Sequence, residues 1–256
     1  MAMVIGLTLG LLGGGGSILT VPVLVYLMAI DPVLSTGYSL FIVGLASLVG
    51  GITYLKKGQV DLKTAVIFGI PSIAAVYLSR WLLVPAIPEV IFKVDDFVFT
   101  KNIAIMVLFA LLMIGASYSM IRKTPLASID TTTVRYNYLL ILLEGAVVGT
   151  LTGIVGAGGG FLIIPALVLF TGLSMKMAVG TSLLIIAAKS LIGFLGDVQN
   201  SIIDWPFLLG FSAVAVLGIF IGSKLSNIIP SEKLKPAFGW FTLVMGIGIL
   251  GKELLF

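Results

Sequence analysis

The sequence predicts an all-α polytopic membrane protein built from two inverted repeats, each a Gly-rich re-entrant, broken helix hairpin followed by three transmembrane helices. Three observations carry this. Of 256 residues, 59% are hydrophobic and 10% are charged, where an ordinary soluble domain has ~25% charged residues; mean hydropathy is +1.21. The chain repeats itself at a constant offset of 143 residues. Its Lys and Arg residues segregate to one side of a membrane only if both Gly-rich segments enter and leave on the same side.

Eight apolar segments lie near residues 2–30, 33–55, 64–88, 102–121, 137–173, 177–196, 205–229 and 237–255, divided by short clusters of Lys, Arg, Asp, Pro and Gly. Runs of this length are helical, because a membrane β-barrel alternates apolar and polar residues in stretches of ~10. The first stretch, Met1 to Leu12, has no basic leading region and no small-residue cleavage site, so it reads as a mature membrane segment. The first and fifth segments are interrupted by Gly13-Gly14-Gly15-Gly16-Ser17 and Gly156-Ala157-Gly158-Gly159-Gly160, followed by Pro22 and Pro165. Each Gly costs ~1 kcal/mol relative to Ala inside a helix, so both runs predict non-helical turns. Such turns survive at membrane depth only against protein or a cavity.

The 143-residue offset aligns Gly6 to Phe68 with Gly149 to Phe211 without a gap. Gly10, Gly13, Gly15, Gly16 and Pro22 fall on Gly153, Gly156, Gly158, Gly159 and Pro165. Gly37, Ser39 and Leu40 fall on Gly180, Ser182 and Leu183, and Asp61 falls on Asp204. The expected organisation is a first membrane repeat over 1–121, a cytoplasmic linker over 122–136 and a second repeat over 137–256. If all eight segments cross, the loops divide seven cations against six. If the Gly-rich segments are hairpins, the division is ten against three, with Lys56, Lys57, Lys63, Arg122, Lys123, Arg135, Lys176, Lys224, Lys233 and Lys235 on the richer side. That side is then cytoplasmic, both termini are outside, and the halves are inverted.

The residue inventory narrows the chemistry. With no His and no Cys, zinc sites, thiol chemistry and disulfides are excluded, and no cofactor is implied. Basic and aromatic residues are never interleaved on a polar surface, so nucleic acid is not an expected partner. The Gly-rich runs lack a Gly-Lys-Ser/Thr ending and a strand-helix setting, which argues against a nucleotide loop. No nucleophile and base pair can be located, so an enzyme is not expected.

A half-helix that begins inside the membrane offers unpaired N–H groups and the positive end of its dipole to an anion. The candidate substrate-binding residues are therefore Gly13, Gly14, Gly15, Gly16 and Ser17 with Gly156, Ala157, Gly158, Gly159 and Gly160; the alternative for such glycines is close helix packing. Hydroxyls recur just after each hairpin at Tyr38, Ser39, Thr181 and Ser182. These are either donors to an oxyanion or groups bonded back to their own helix. Lys189 lies in an apolar span opposite Ala46 of the other repeat and should face the bundle interior, since a cation at a span centre costs at least ~2.5 kcal/mol. Arg80, beside Trp81 and before Pro85, reads as an interfacial anchor. Glu144 and Asp197 are candidate proton-coupling groups or partners of Lys189. Asp61 and Asp204 read as N-caps.

The two Gly-rich turns with Pro22 and Pro165, the Ser39 and Thr181-Ser182 sites, and the paired Val60-Asp61 and Ile203-Asp204 make the chain resemble the TauE/SafE sulfite exporter family over nearly its whole length. It departs from the family pattern in its Gly-Gly-Gly-Gly-Ser turn, where Gly-x-Gly-Gly-Gly is commoner. Tyr38 stands where Thr is frequent, and Lys189 where a neutral residue is usual. The resemblance implies a secondary transporter of small sulfur-containing anions such as sulfite or sulfoacetate in a bacterial inner membrane, with the lipid bilayer and a small anionic substrate as partners and a homodimer left open. The alternative from the residues is a channel or cation-coupled transporter using unwound carbonyls and the Glu144 or Asp197 carboxylates.

Overall fold

The computed structural model describes residues 1–94, 97–121, 138–225 and 231–255. The expected linker over 122–136 lies outside the described residues. The elements are α1 (Ala2–Leu12), a 3₁₀ segment (Gly13–Leu19), α2 (Thr20–Pro22), a π-helical turn (Val23–Leu27), α3 (Pro32–Lys56), α4 (Leu62–Leu78), a second π-helical turn (Ser79–Leu83) and α5 (Val84–Ala86). There follow strands β1 (Val90–Val94) and β2 (Phe97–Thr100), then α6 (Lys101–Ile121), α7 (Tyr138–Val155), α8 (Gly160–Thr171), α9 (Met175–Val198), α10 (Trp205–Leu225) and α11 (Ser231–Leu255). Five helical stretches among the described residues are long and apolar enough to cross a membrane: Pro32–Lys56, Leu62–Ala86, Lys101–Tyr118, Lys176–Val198 and Trp205–Leu225. The chain is an all-α polytopic membrane protein, and α11, 25 residues long, packs along α6.

Helix starts follow local chemistry. Asp31 caps α3, its carboxylate accepting the amides of Val33 at 2.9 Å and Leu34 at 3.2 Å, with Pro32 in the first turn where its missing N–H costs nothing. Asp61 accepts Thr64 N–H at 3.0 Å and Asp204 accepts Phe207 N–H at 3.1 Å, the capping role expected of both. The β1–β2 ribbon was not foreseen. Its strands pair antiparallel with Phe92 stacked on Phe99 at 4.7 Å, and their aromatic and β-branched residues favour this over helix.

Glycine seams set the packing. A methyl group added to Gly218 would meet Gly6 Cα at 3.0 Å, and one on Gly222 would meet Gly10 Cα at 3.0 Å, so α1 and α10 touch backbone to backbone and run the same way. In the other half, methyl groups on Gly145 and Gly149 would meet the carbonyls of Phe68 and Ser72 at 2.6 Å each, and one on Gly153 would meet Val76 Cα at 3.1 Å; α7 and α4 also run the same way. Small residues allow this approach where no hydrophobic force drives helices together in lipid. The two seams are related by the 143-residue offset and each joins one repeat to the other.

At the centre α3 crosses α9. Gly37 faces Asp197, Gly44 faces Leu191, Gly51 faces Leu184 and Gly180 faces Tyr54, while Phe41 packs on Phe194 at 5.0 Å. Rising numbers on one helix meet falling numbers on the other, so these repeat-related helices are antiparallel. The register and the repeat offset coincide at Ala46 and Lys189, which mark the crossing point. Helix α9 runs alongside α4 in the same direction, with Gly193 against Val76 and Gly196 against Arg80. Hence α7 and α9 share a direction, and the chain between them reverses. The same holds for α1 and α3 through α10, where the Tyr38 ring lies 6.0 Å from that of Phe207 and Gly50 lies against Ile219, so that numbers rise together on α3 and α10.

Candidate functional site

The two reversals are built differently. In the second, α7 closes with Gly156 N–H donating to Thr152 O at 2.8 Å, and Gly156, Gly158 and Gly159 then take φ of 71°, 65° and 73°. Those left-handed angles are strained for any residue with a Cβ. Gly159 O accepts the amides of Leu162 at 3.0 Å and Ile163 at 2.9 Å, whereas the amides of Gly160 and Phe161, which open α8, donate to no backbone carbonyl among the described residues. These are the orphan donors of a helix start. The first glycine run forms tight 3₁₀ turns over Gly13–Leu19 rather than the non-helical turn expected. Short 3₁₀ geometry is available because glycine side chains cannot eclipse. The chain nevertheless folds back, since Gly16 sits on the backbone of Thr8 and Leu9.

The tips meet. A methyl group on Gly158 would lie 3.3 Å from Ser17 Cβ and 3.5 Å from Ile186 Cγ2, and one on Gly159 would lie 2.8 Å from Lys189 Nζ. Lys189 is 0% exposed. Its Nζ donates to Thr152 Oγ1 at 2.8 Å, and Thr152 Oγ1 in turn donates to Gly149 O at 3.2 Å. A cation at the helix crossing thus has a neutral hydroxyl as its hydrogen-bond partner.

Arg80, expected at the interface, is instead 1% exposed, while neighbouring Trp81 faces outward. Proline explains the placement. Pro85 has no N–H to give Trp81 O, so the ladder slips and Val84 N–H bonds to Ser79 O, producing the π-helical turn that carries Arg80 inward. Its Nε donates to Asp197 Oδ2 at 2.7 Å, and its Nη1 to Thr36 Oγ1 at 2.9 Å and Gly153 O at 3.3 Å. Its Nη2 is buried without a hydrogen-bond partner. Asp197 is therefore the partner of Arg80, not of Lys189. Both cations reach consecutive residues, Thr152 and Gly153, at the carbonyl end of α7, where the helix dipole favours positive charge.

The remaining candidates divide. Gly16, Ser17, Gly156, Ala157, Gly158, Gly159 and Gly160 are buried at the meeting tips, while Gly13, Gly14 and Gly15 lie in the 3₁₀ segment. Ser39 is buried and its Oγ has no hydrogen-bond partner, as is Thr20 Oγ1, a residue absent from the sequence reading. Ser182 bonds back to Val179 O at 2.8 Å. Tyr38 and Thr181 hold loops: the Tyr38 hydroxyl accepts Asp204 N–H at 2.8 Å and Thr181 Oγ1 accepts Asp61 N–H at 2.9 Å. Glu144, partly exposed on α7, stands about 12 Å along the helix from Thr152. Thr36 and Thr152 are site residues that the sequence does not single out, and Pro85, four residues after Trp81, is the signal for the inward turn of Arg80.

The sequence matches the family described as Sulfite exporter TauE/SafE over residues 1–249. A probable membrane transporter protein of Xylella fastidiosa (strain Temecula1) is 28% identical over 97% of this chain and 92% of its own. The probable membrane transporter protein YdhB of Bacillus subtilis is 24% identical over 96% of each. No solved structure matches the chain. With paired glycine hairpins, a duplicated frame and a match of this extent, the chain belongs to the TauE/SafE sulfite exporter family and is a membrane transporter of that type.

Proposed function

We propose that the protein exports small sulfur-containing oxyanions, such as sulfite or sulfoacetate, across a bacterial inner membrane by alternating access around the meeting point of the two hairpin tips. The observation that carries this is Lys189: fully buried at the crossing of the two repeats, it is hydrogen-bonded to neutral Thr152 and lies beside the amides that open α8, which donate to no backbone carbonyl among the described residues. An unpaired cation and unpaired N–H groups at membrane depth are costly unless an anion joins them. The antiparallel crossing of α3 and α9 supports two inverted halves, and the reversals at the glycine runs support re-entrant hairpins, with both termini outside and the Lys-rich loops in the cytoplasm. Ser17, Ser39, Ala157 and Lys189 have no solvent-exposed surface, which fits an occluded state in which the tips must part to admit a solute. A cation reading needs a free carboxylate at the tips; Asp197 is taken by Arg80, and Glu144 stands about 12 Å along α7 from Thr152.

Binding and proteoliposome flux of sulfite and sulfoacetate with Lys189→Ala test the proposal. Loss of a buried charge-assisted hydrogen bond should lower affinity by at least about tenfold. Parental affinity and flux in the variant would refute it.

A further inference from the structure

The charge count at the tips points to the valence of the solute, an inference that rests on the anion-site reading above. Among the described residues the buried charged side chains in the helical interior are Arg80, Asp197 and Lys189, with Lys101 at the start of α6 paired to Glu89 at 3.5 Å. Arg80 and Asp197 cancel at 2.7 Å. The dipole ends at the second break also oppose each other, negative at the end of α7 and positive at the start of α8. Glu144 stands two turns away and is partly exposed. What is left is the single charge of Lys189, whose Nζ lies at Gly159 just before the amides of Gly160 and Phe161, neutral donors that bond to no backbone carbonyl among the described residues.

We propose that the site carries one net positive charge and takes singly charged oxyanions, hydrogensulfite or a monovalent organosulfonate, in preference to dianions of similar size, so that of the solutes named above hydrogensulfite is favoured over sulfoacetate, whose sulfonate and carboxylate carry two charges. Neutral donors solvate the oxygens of either species, but only a monoanion leaves the filled site electrically balanced, and an uncompensated charge at this depth is strongly disfavoured. The repeat symmetry is broken for this purpose. Positions equivalent to Lys189, Arg80 and Asp197 in the other half are Ala46, Ser223 and Tyr54, so the first tip adds donors and no charge.

The test uses two probes of fixed charge, methanesulfonate and sulfate, with purified full-length protein in lipid nanodiscs. The expected result is methanesulfonate bound more tightly than sulfate by roughly a hundredfold, the ratio set by one unbalanced charge in the membrane interior. Asp197→Asn raises the net charge by one and should invert the order. If that variant does not fold, the wild-type ratio still decides. Equal binding of the two probes, or tighter sulfate, by the wild type overturns the charge count while leaving an anion site standing. An unchanged preference in folded Asp197→Asn overturns it as well. Binding of neither probe overturns the anion-site reading and this inference together.

Discussion

Tyr38 reaches out of its own repeat to accept the backbone N–H of Asp204 at 2.8 Å, and its repeat mate Thr181 does the same for Asp61 at 2.9 Å. Each half therefore holds the loop before the other half's capped helix, α10 or α4, through a side chain near the start of the central crossing helices.

Removing either acceptor strands a backbone amide. Tyr38→Phe and Thr181→Val should each lower stability by about 1–3 kcal/mol, measured as thermal unfolding in detergent, with anion affinity unchanged. A fall in affinity at full stability would move these hydroxyls into the binding site.

The Arg80–Asp197 pair gives a sharper contrast. Arg80→Leu leaves a carboxylate buried and unpaired, which should cost about 3–5 kcal/mol. Arg80→Leu combined with Asp197→Leu should recover much of that loss, because two apolar side chains need no partner. A double variant as unstable as the single one would show that the ion pair is not what the fold requires at this position.

The glycine seams predict intolerance of small additions. Gly149→Ala pushes a methyl group to 2.6 Å from Ser72 O and 2.9 Å from Ala75 Cβ and should cost about 1–3 kcal/mol by overpacking. Gly210, with open space beside it, should accept Ala with no loss. Equal effects at the two positions in a thermal-shift measurement would contradict the seam.

Handedness in the membrane can be read directly, because the chain has no Cys. Gln59→Cys and Ile202→Cys sit at repeat-equivalent loops, and Ile202 is 96% exposed. A membrane-impermeant thiol reagent applied to intact cells should label the Ile202 position and not the Gln59 position until the membrane is opened. Labelling of both from one side would exclude inverted halves.

Much of the frame was legible in the sequence. The duplication, the two Gly-rich reversals, the Asp61 and Asp204 caps and the burial of Lys189 all follow from residue spacing and the cost of polar groups in lipid. A position near a segment end suggests an interfacial anchor at Arg80, but Pro85, whose missing N–H rotates the helix locally, turns the guanidinium inward. The β1–β2 ribbon lies between two apolar segments, and its short stretches of Val, Ile and Phe do not stand apart from those flanks by composition. The partners of Tyr38 and Thr181 lie 166 and 120 residues away in sequence, and no local pattern announces contacts of that span. Why the first glycine run winds as 3₁₀ while the second uses left-handed angles is visible in composition alone only as two differences, Gly14 against Ala157 and Ser17 against Gly160.

The seam between α1 and α10, and its counterpart between α7 and α4, clasp the halves together by exchange: each hairpin is gripped by the opposite repeat. A lone half would expose its grooves with nothing to fill them. Neither repeat therefore owns a complete interior, and a chain cut between them would yield two pieces that reach a packed state only by finding each other.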